Sequence, residues 1–159
     1  MDGIVMRQAV HADREQLADL RALVLCDDLT RLGRYDEIKV RERFRNTFHP
    51  EHTRILELEG ILIGCVALKP KDKEYLLEHF YIHPDYQGRK LGTKVLSLLL
   101  EQEAVRSSRV TLNVLQGSPA QRLYERFGFT VDGQDEVDVF MSRFISRNDP
   151  GMRSSRSLK

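Results

Sequence analysis

Along much of the chain apolar residues come in short extended runs, and between these runs they recur every three or four positions. The run Glu74 to Ile82 alternates Tyr75, Leu77, His79 and Tyr81 with Leu76, Glu78, Phe80 and Ile82, a largely apolar and aromatic strand suited to a sheet interior. Pro84 ends it, and from Leu91 onward Val95, Leu98 and Leu99 take helical spacing. Upstream, Ile4 to Ala9 reads as an opening strand. Asp13 with Gln16 resembles a capping box for a helix through about Leu25, with Leu17, Leu20 and Val24 as its buried stripe. The polar stretch CDDLTRLGRYDE then leads to a second helix starting at Asp36, burying Ile38 and Phe44, and ending before Pro50. Thr53 to Leu58 and Ile61 to Leu68, joined by Glu59-Gly60, form a hairpin, and Lys69 to Lys73 is a solvated turn.

Downstream, Arg109 to Leu115 is a further strand. Ser118 is placed to cap the next helix, with Pro119 at its first position, and Leu123, Tyr124 and Phe127 lie on one side of it. Gly128 is the expected stop, and Phe129 to Val131 and Val137 to Phe144 close the pattern as two strands. A helix between the Glu74 and Arg109 strands makes them a candidate parallel pair in a mostly antiparallel sheet. With 159 residues the chain fits one domain, over residues 1–145. Residues 146–159 are poor in apolar residues and read as a mobile tail carrying Arg147, Arg153, Arg156 and Lys159.

Charge changes this picture little. A formal net charge of +1 gives no global attraction to nucleic acid or an acidic membrane. Cys26 and Cys65 stand far apart with no CxxC, which predicts packed thiols in a reducing compartment. The N-terminal residues carry an acid, and no stretch of eighteen apolar residues occurs, so a cytoplasmic location is expected. No three-ligand metal set is apparent, and His79 and His83 read as packed or hydrogen-bonded imidazoles.

Chemistry concentrates after Ile82. In Gln87-Gly88-Arg89-Lys90-Leu91-Gly92-Thr93, backbone N–H groups at a helix start can converge on an anion, helped by the helix dipole. Gly88 and Gly92 permit close approach, and Arg89 and Lys90 add full charges, so a phosphate-bearing ligand is expected.

At these residues the chain resembles the GNAT family, the Gcn5-related N-acetyltransferases, whose loop reads Gln/Arg-x-x-Gly-x-Gly/Ala after a strand. Gln87 and Gly92 match, while Lys90 stands where the first glycine is usual and is tolerable if its backbone is already helical. A second segment, Leu112-x-Val114, Ser118-Pro119-Ala120 and Leu123-Tyr124-Glu125-Arg126-Phe127-Gly128-Phe129, is similar to another GNAT motif, with Ser118 in place of the usual Asn. The two motifs cover roughly residues 74–130.

The resemblance implies a mixed α/β fold: a mostly antiparallel sheet of six to seven strands, a splayed central parallel pair and about four helices. It also implies acetyl-CoA wedged into that splay. Main chain of Phe80, Tyr81 and Ile82 would meet pantetheine, Gln87 to Thr93 (Gly88, Arg89, Lys90, Leu91 and Gly92 between them) the pyrophosphate, and Ser118 a pantetheine polar group. Tyr124 matches the tyrosine that protonates the departing thiolate. Glu78, expected by alternation on the same face as Phe80 and Ile82, is the candidate base, directly or through water. Arg31, Arg34 and Tyr35, with Asp27, Asp28, Asp36 and Glu37, fall in the segment that lies over the acceptor site in the family. The expected activity is N-acetyl transfer to a small-molecule or peptide amine, without metal, and family resemblance favours a homodimer. A non-catalytic acyl-CoA-binding or sensing module is the alternative.

Overall fold

A computed structural model describes residues 3–144, and the basic tail expected at 146–159 lies outside them. Seven strands form one sheet in the order β1-β2-β3-β4-β5-β7-β6. The strands are β1 (Ile4–Gln8), β2 (Thr53–Leu58), β3 (Ile61–Lys71), β4 (Glu74–Ile82), β5 (Val110–Leu115), β6 (Thr130–Gln134) and β7 (Asp138–Arg143). Every neighbouring pair is antiparallel except β4 and β5. Five α-helices accompany it: α1 (Arg14–Arg31), α2 (Glu37–Thr47), α3 (Leu91–Leu100), the four-residue α4 (Glu103–Arg106) and α5 (Ala120–Arg126).

Two apolar layers follow from the strand alternation. On one face Leu56, Ile63, Val66, Leu77, Leu112, Val114, Val139 and Met141 pack with α3 and α5 residues such as Val95, Leu96 and Tyr124. On the other, Ile55, Cys65 and Tyr81 meet Leu17, Ala18 and Leu20 of α1 and Phe44 of α2.

Several local expectations are corrected. Asp13 does not cap α1. Its carboxylate accepts from Val10 N at 2.8 Å and pairs with Arg7 at 3.1 Å, which holds it below the usual carboxylate range and closes a 3-10 turn ahead of the helix. Helix α1 runs on through the polar CDDLTR segment to Arg31 and stops at Gly33, whose φ of 72° supports Gly33 N→Thr30 O and Arg34 N→Leu29 O bonds. In α2 the buried pair is Val40 and Phe44, four residues apart; Ile38 is on the far side and 66% exposed. In α3 Leu91, Val95 and Leu99 are buried as expected, Leu96 and Leu100 join them, and Leu98 is exposed. Asp36 does cap α2, accepting from Ile38 N and Lys39 N.

The Glu59-Gly60 hairpin turn has φ of 52° and 80°, the left-handed pair that matches strand twist. The turn between β3 and β4 is only Asp72-Lys73; Lys69, Pro70 and Lys71 belong to β3. Proline is accommodated because β3 outruns β2 past Ala67, leaving Pro70 with one neighbour strand.

Candidate active site

Strands β4 and β5 pair only through Tyr75↔Val110 and Leu76↔Thr111. Beyond Leu76 they part, and the cause lies within β4. Register with β3 shifts between Cys65 and Ala67, and His79 sits at φ 50°. This bulge puts one extra residue in β4 and breaks its alternation. Leu77 faces the α3 layer, as do Phe80 and Ile82, while Tyr81 faces α1 and α2. Glu78 pairs with Ala67 and approaches Lys69 Nζ at 3.9 Å, which puts it on the α1/α2 face. The expected common face for Glu78, Phe80 and Ile82 is therefore corrected: the bulge separates them.

Buried polar groups explain why the bulge persists with a non-glycine residue in left-handed conformation. Tyr81 OH accepts from Arg21 Nε at 2.9 Å and lies 3.0 Å from His79 Nδ1; His79 Nε2 lies 2.6 Å from Thr47 Oγ1. The single Thr47 hydroxyl proton goes to Arg43 O at 2.6 Å, so Thr47 must accept from His79 Nε2–H. Nδ1 is then bare and accepts from Tyr81 OH. One donor assignment thus satisfies the whole chain and links β4 to α1 and α2. Burial first, then the charges of Arg21, Arg43, Lys69 and His49, pushes His79 down to about 3, so its ring is neutral. Cys65 Sγ donates to His79 O at 3.3 Å, and burial pushes that thiol up, which makes it inert.

Main-chain direction along the gap follows from the ladder. His83 N donates to Ile63 O, so the narrow hydrogen-bonded pairs with β3 are Ile63–His83 and Cys65–Tyr81. Tyr81's main chain is therefore committed to β3, which corrects its expected place among the gap-facing groups. Phe80 and Ile82 turn theirs toward β5, and Ile82 O accepts from Gln87 Nε2 at 2.8 Å.

The gap ends at the turn 87–92 and the start of α3. Gly88 has φ 79°, and Lys90, at φ 63° and ψ 21°, is the N-cap. Lys90 is thus left-handed, not helical as its tolerance required, in a conformation that favours glycine. Arg89 lies 5.0 Å from the Tyr86 ring centroid. A Cβ on Gly92 would stand 3.3 Å from Leu123 Cδ2 and 3.8 Å from Ile82 Cδ1 and Phe80 Cζ, so the glycine seats α3 close against β4 and α5. Leu91 is buried beneath this turn. The N–H groups of Leu91, Gly92 and Thr93 in the first turn of α3 precede its i→i−4 ladder, an arrangement that fits a diphosphate.

Tyr124 enters from α5. It is 7% exposed and its ring packs edge-on against Phe129 at 5.8 Å. Its hydroxyl bonds to none of the described residues. Burial, with a smaller contribution from Tyr81 nearby, pushes the phenol up, so it is protonated at neutral pH. Helix α5 begins at Ala120 with Pro119 as its N-cap, which corrects the expected Ser118 cap with Pro119 at the first helical position; Ser118 Oγ accepts from Ala120 N at 3.1 Å just ahead of the helix.

The connection between α1 and α2 is tied down. Arg31 donates to Gln116 O at 2.8 Å and Asp28 Oδ1 at 2.9 Å, while Arg34 pairs with Glu136 at 3.1 Å. Both guanidiniums thus act as straps onto the β5–α5 and β6–β7 turns. Tyr35 is half-buried at the α2 start, within range of Arg41's charge.

Two groups on the α1/α2 side were not foreseen. Arg43 projects from α2 one turn before Thr47, and its guanidinium makes no hydrogen bond or ion pair with any described residue. Asp138 alternates with core residues Val139 and Met141 and so faces the α1/α2 side opposite Leu115. Burial and Asp135 raise its carboxyl above the usual range, against the pull of Arg43 and Arg21. The i,i+4 spacing of Lys39, Arg43 and Thr47, and one acid inside an apolar strand, were the available signals. Among the described residues no group of three or more His, Cys, Asp or Glu could hold a metal, and no helix is long and apolar enough to cross a membrane.

Comparison with known proteins agrees with this geometry. The profile of the acetyltransferase (GNAT) domain matches residues 49–131. Spermine/spermidine N(1)-acetyltransferase of Bacillus subtilis (strain 168) is 36% identical over 90 residues, 50% of this chain and 59% of that protein. L-methionine sulfoximine/L-methionine sulfone acetyltransferase of Salmonella typhimurium is 35% identical over 75 residues, 45% of this chain and 44% of that one. The match thus spans about half the length of these curated relatives. PaiA N-acetyltransferase from Thermoplasma acidophilum, solved in complex with coenzyme A, superposes with a TM-score of 0.70 at 21% identity, covering 89% of this chain and 99% of that one.

Proposed function

The chain belongs to the GNAT acetyltransferase family, and on that premise we propose that it is an acetyl-CoA-dependent N-acetyltransferase acting on a small-molecule amine. The observation that carries this reading is the gap itself: β4 and β5 separate after two ladder pairs, Phe80 and Ile82 direct main chain into the opening, and the opening ends at an amide-lined helix start. Relatives that act on small amines, and a fold neighbour solved with coenzyme A, support the same reading.

Acetyl-CoA supplies the activated thioester. Phe80 and Ile82 main chain would pair with the pantetheine amides, and the N–H groups of turn 87–93 would hold the diphosphate with Arg89 and Lys90 adding charge. Tyr124, protonated and without a hydrogen-bond partner among the described residues, would give its proton to the departing sulfur. Glu78, on the α1/α2 face, would take the amine proton directly or through water. The amine nitrogen forms its bond to the acetyl carbon as the carbon–sulfur bond breaks. The acceptor enters from the α1/α2 side, opposite α3. A single catalytic domain in the cytoplasm, acting as a homodimer without metal, nucleic acid or membrane, completes the reading.

The left-handed Lys90 favours a second reading, a module that binds acyl-CoA without transferring the acyl group. Two measurements separate them. Calorimetry should detect coenzyme A binding, and thiol release from acetyl-CoA should depend on added amine. Binding without amine-dependent release would leave the sensing module; no binding at millimolar coenzyme A would refute both.

A further inference from the structure

A shallow groove of about 290 Å³ runs along α2, lined by Lys39, Glu42, Arg43, Asn46 and Thr47. One of its lining residues, Thr47, is hydrogen-bonded to His79 on the β4 bulge, which ties the groove to the strand that borders the opening. Of the arginines on α2, Arg41 and Arg45 are paired with Asp19 and Glu15 of α1. Arg43 has no such partner among the described residues and points to the groove. On the same face of the sheet Asp138 is half-buried, its side chain likewise without a partner among the described residues, and its position is fixed by Asp138 N→Asp135 Oδ1 at 2.7 Å. The charges of Arg43 and Arg21 reach its carboxyl.

Resting on the acetyl-transfer reading above, we propose that the acceptor is a small amine carrying its own carboxylate, with Arg43 holding the carboxylate and Asp138 receiving the ammonium. A polyamine needs a lining dominated by acids. Here the lining holds Lys39 and Arg43 against the single acid Glu42, and Glu78 lies 3.9 Å from Lys69 Nζ. The volume suits a molecule of amino-acid size rather than an extended chain. A guanidinium in this groove with no partner among the described residues is the donor set that recognises a carboxylate in bidentate fashion.

Steady-state thiol release would be measured with acetyl-CoA and paired acceptors: L-amino acids, the amines left by their decarboxylation, and spermidine. The carboxylate-bearing member of a pair should show kcat/KM about tenfold or more above its decarboxylated partner and above spermidine. Arg43→Gln should lower that ratio to about threefold or less, Arg43→Lys should restore part of it, and Arg45→Gln should leave it unchanged. Coenzyme A titration runs alongside. No coenzyme A binding means that the acetyl-transfer reading itself has failed. Binding without thiol release across the panel leaves only the sensing module, so the acetyl-transfer reading falls and the carboxylate proposal with it. Binding with amine-dependent release but a preference for spermidine or decarboxylated amines, or with a ratio that survives Arg43→Gln, overturns the carboxylate proposal alone.

Discussion

Replacing His79 by asparagine tests the polar chain that holds the β4 bulge. Asparagine tolerates left-handed φ, so the backbone can persist while the imidazole is removed. At pH 7 the variant loses the bonds to Tyr81 and Thr47 and the ring contact with Phe44 at 4.6 Å, a cost of about 1–3 kcal/mol. The sharper signature is in the pH dependence. His79 titrates at about 3 in the fold against 6.5 when free, so between those values the unfolded chain binds the extra proton. His79's contribution is therefore present above pH 6.5 and is lost as pH falls toward 3. Between pH 7 and pH 5 this amounts to about 2 kcal/mol at 1.36 kcal/mol per unit. Urea unfolding would be followed by far-UV circular dichroism, since the chain has no tryptophan. The native protein should lose about 2 kcal/mol more stability than His79→Asn across that interval, with the other histidines cancelling in the comparison. Equal losses in the two proteins would show that His79 can charge in place, and the donor assignment would fall.

Tyr124→Phe should lower kcat about a hundredfold while coenzyme A affinity, by calorimetry, stays within about twofold; unchanged kcat would remove its role as acid. Lys90→Gly should stabilise the protein by about 1 kcal/mol in urea titration, because it relieves a side chain held at φ 63°; lower stability would contradict that strain. In Gly64→Ala the new Cβ would fall on the Tyr81 carbonyl oxygen and stand 3.3 Å from Ile82 Cα, both backbone. The variant should lose about 2 kcal/mol or more and bind coenzyme A more weakly, and a variant as stable as the parent would mean that β3 and β4 can separate there without penalty.

Much of the fold was legible in the sequence because local chemistry and long-range packing agree. Glu59-Gly60 between two apolar runs could hardly be anything but a hairpin, and Gly128 ends α5 where expected. The end of α1 was misread because Asp27, Asp28, Thr30 and Arg31 look like a connection, although Gly33 offered the stop signal. Strand alternation predicted Glu78's face correctly only up to the bulge. Nothing in the residue pattern announces that His79 adopts positive φ, since the interactions that hold it come from Arg21, Thr47 and Tyr81, distant in sequence or exchanged across the layer. The turn before α3 was readable as glycines and cations ahead of a helix, but no residue in it announces the left-handed state of Lys90. Arg31 and Arg34 were visible as charges, yet their straps to Gln116 and Glu136 depend on the tertiary arrangement. Arg43 and Asp138 escaped notice because each is ordinary within its own element.

The short ladder between β4 and β5 has one further effect. Sheets normally confine their sticky borders to the outermost strands, where charge or proline can blunt them, whereas here two such borders lie in the middle, at 77–82 and 112–115. Those segments are rich in Leu, Phe, Ile and Val and contain no lysine, arginine or proline, so they are suited to recruiting a stray strand from another molecule. A ligand bridging that seam would shield it, so heated samples should cloud less with coenzyme A present than with adenosine alone.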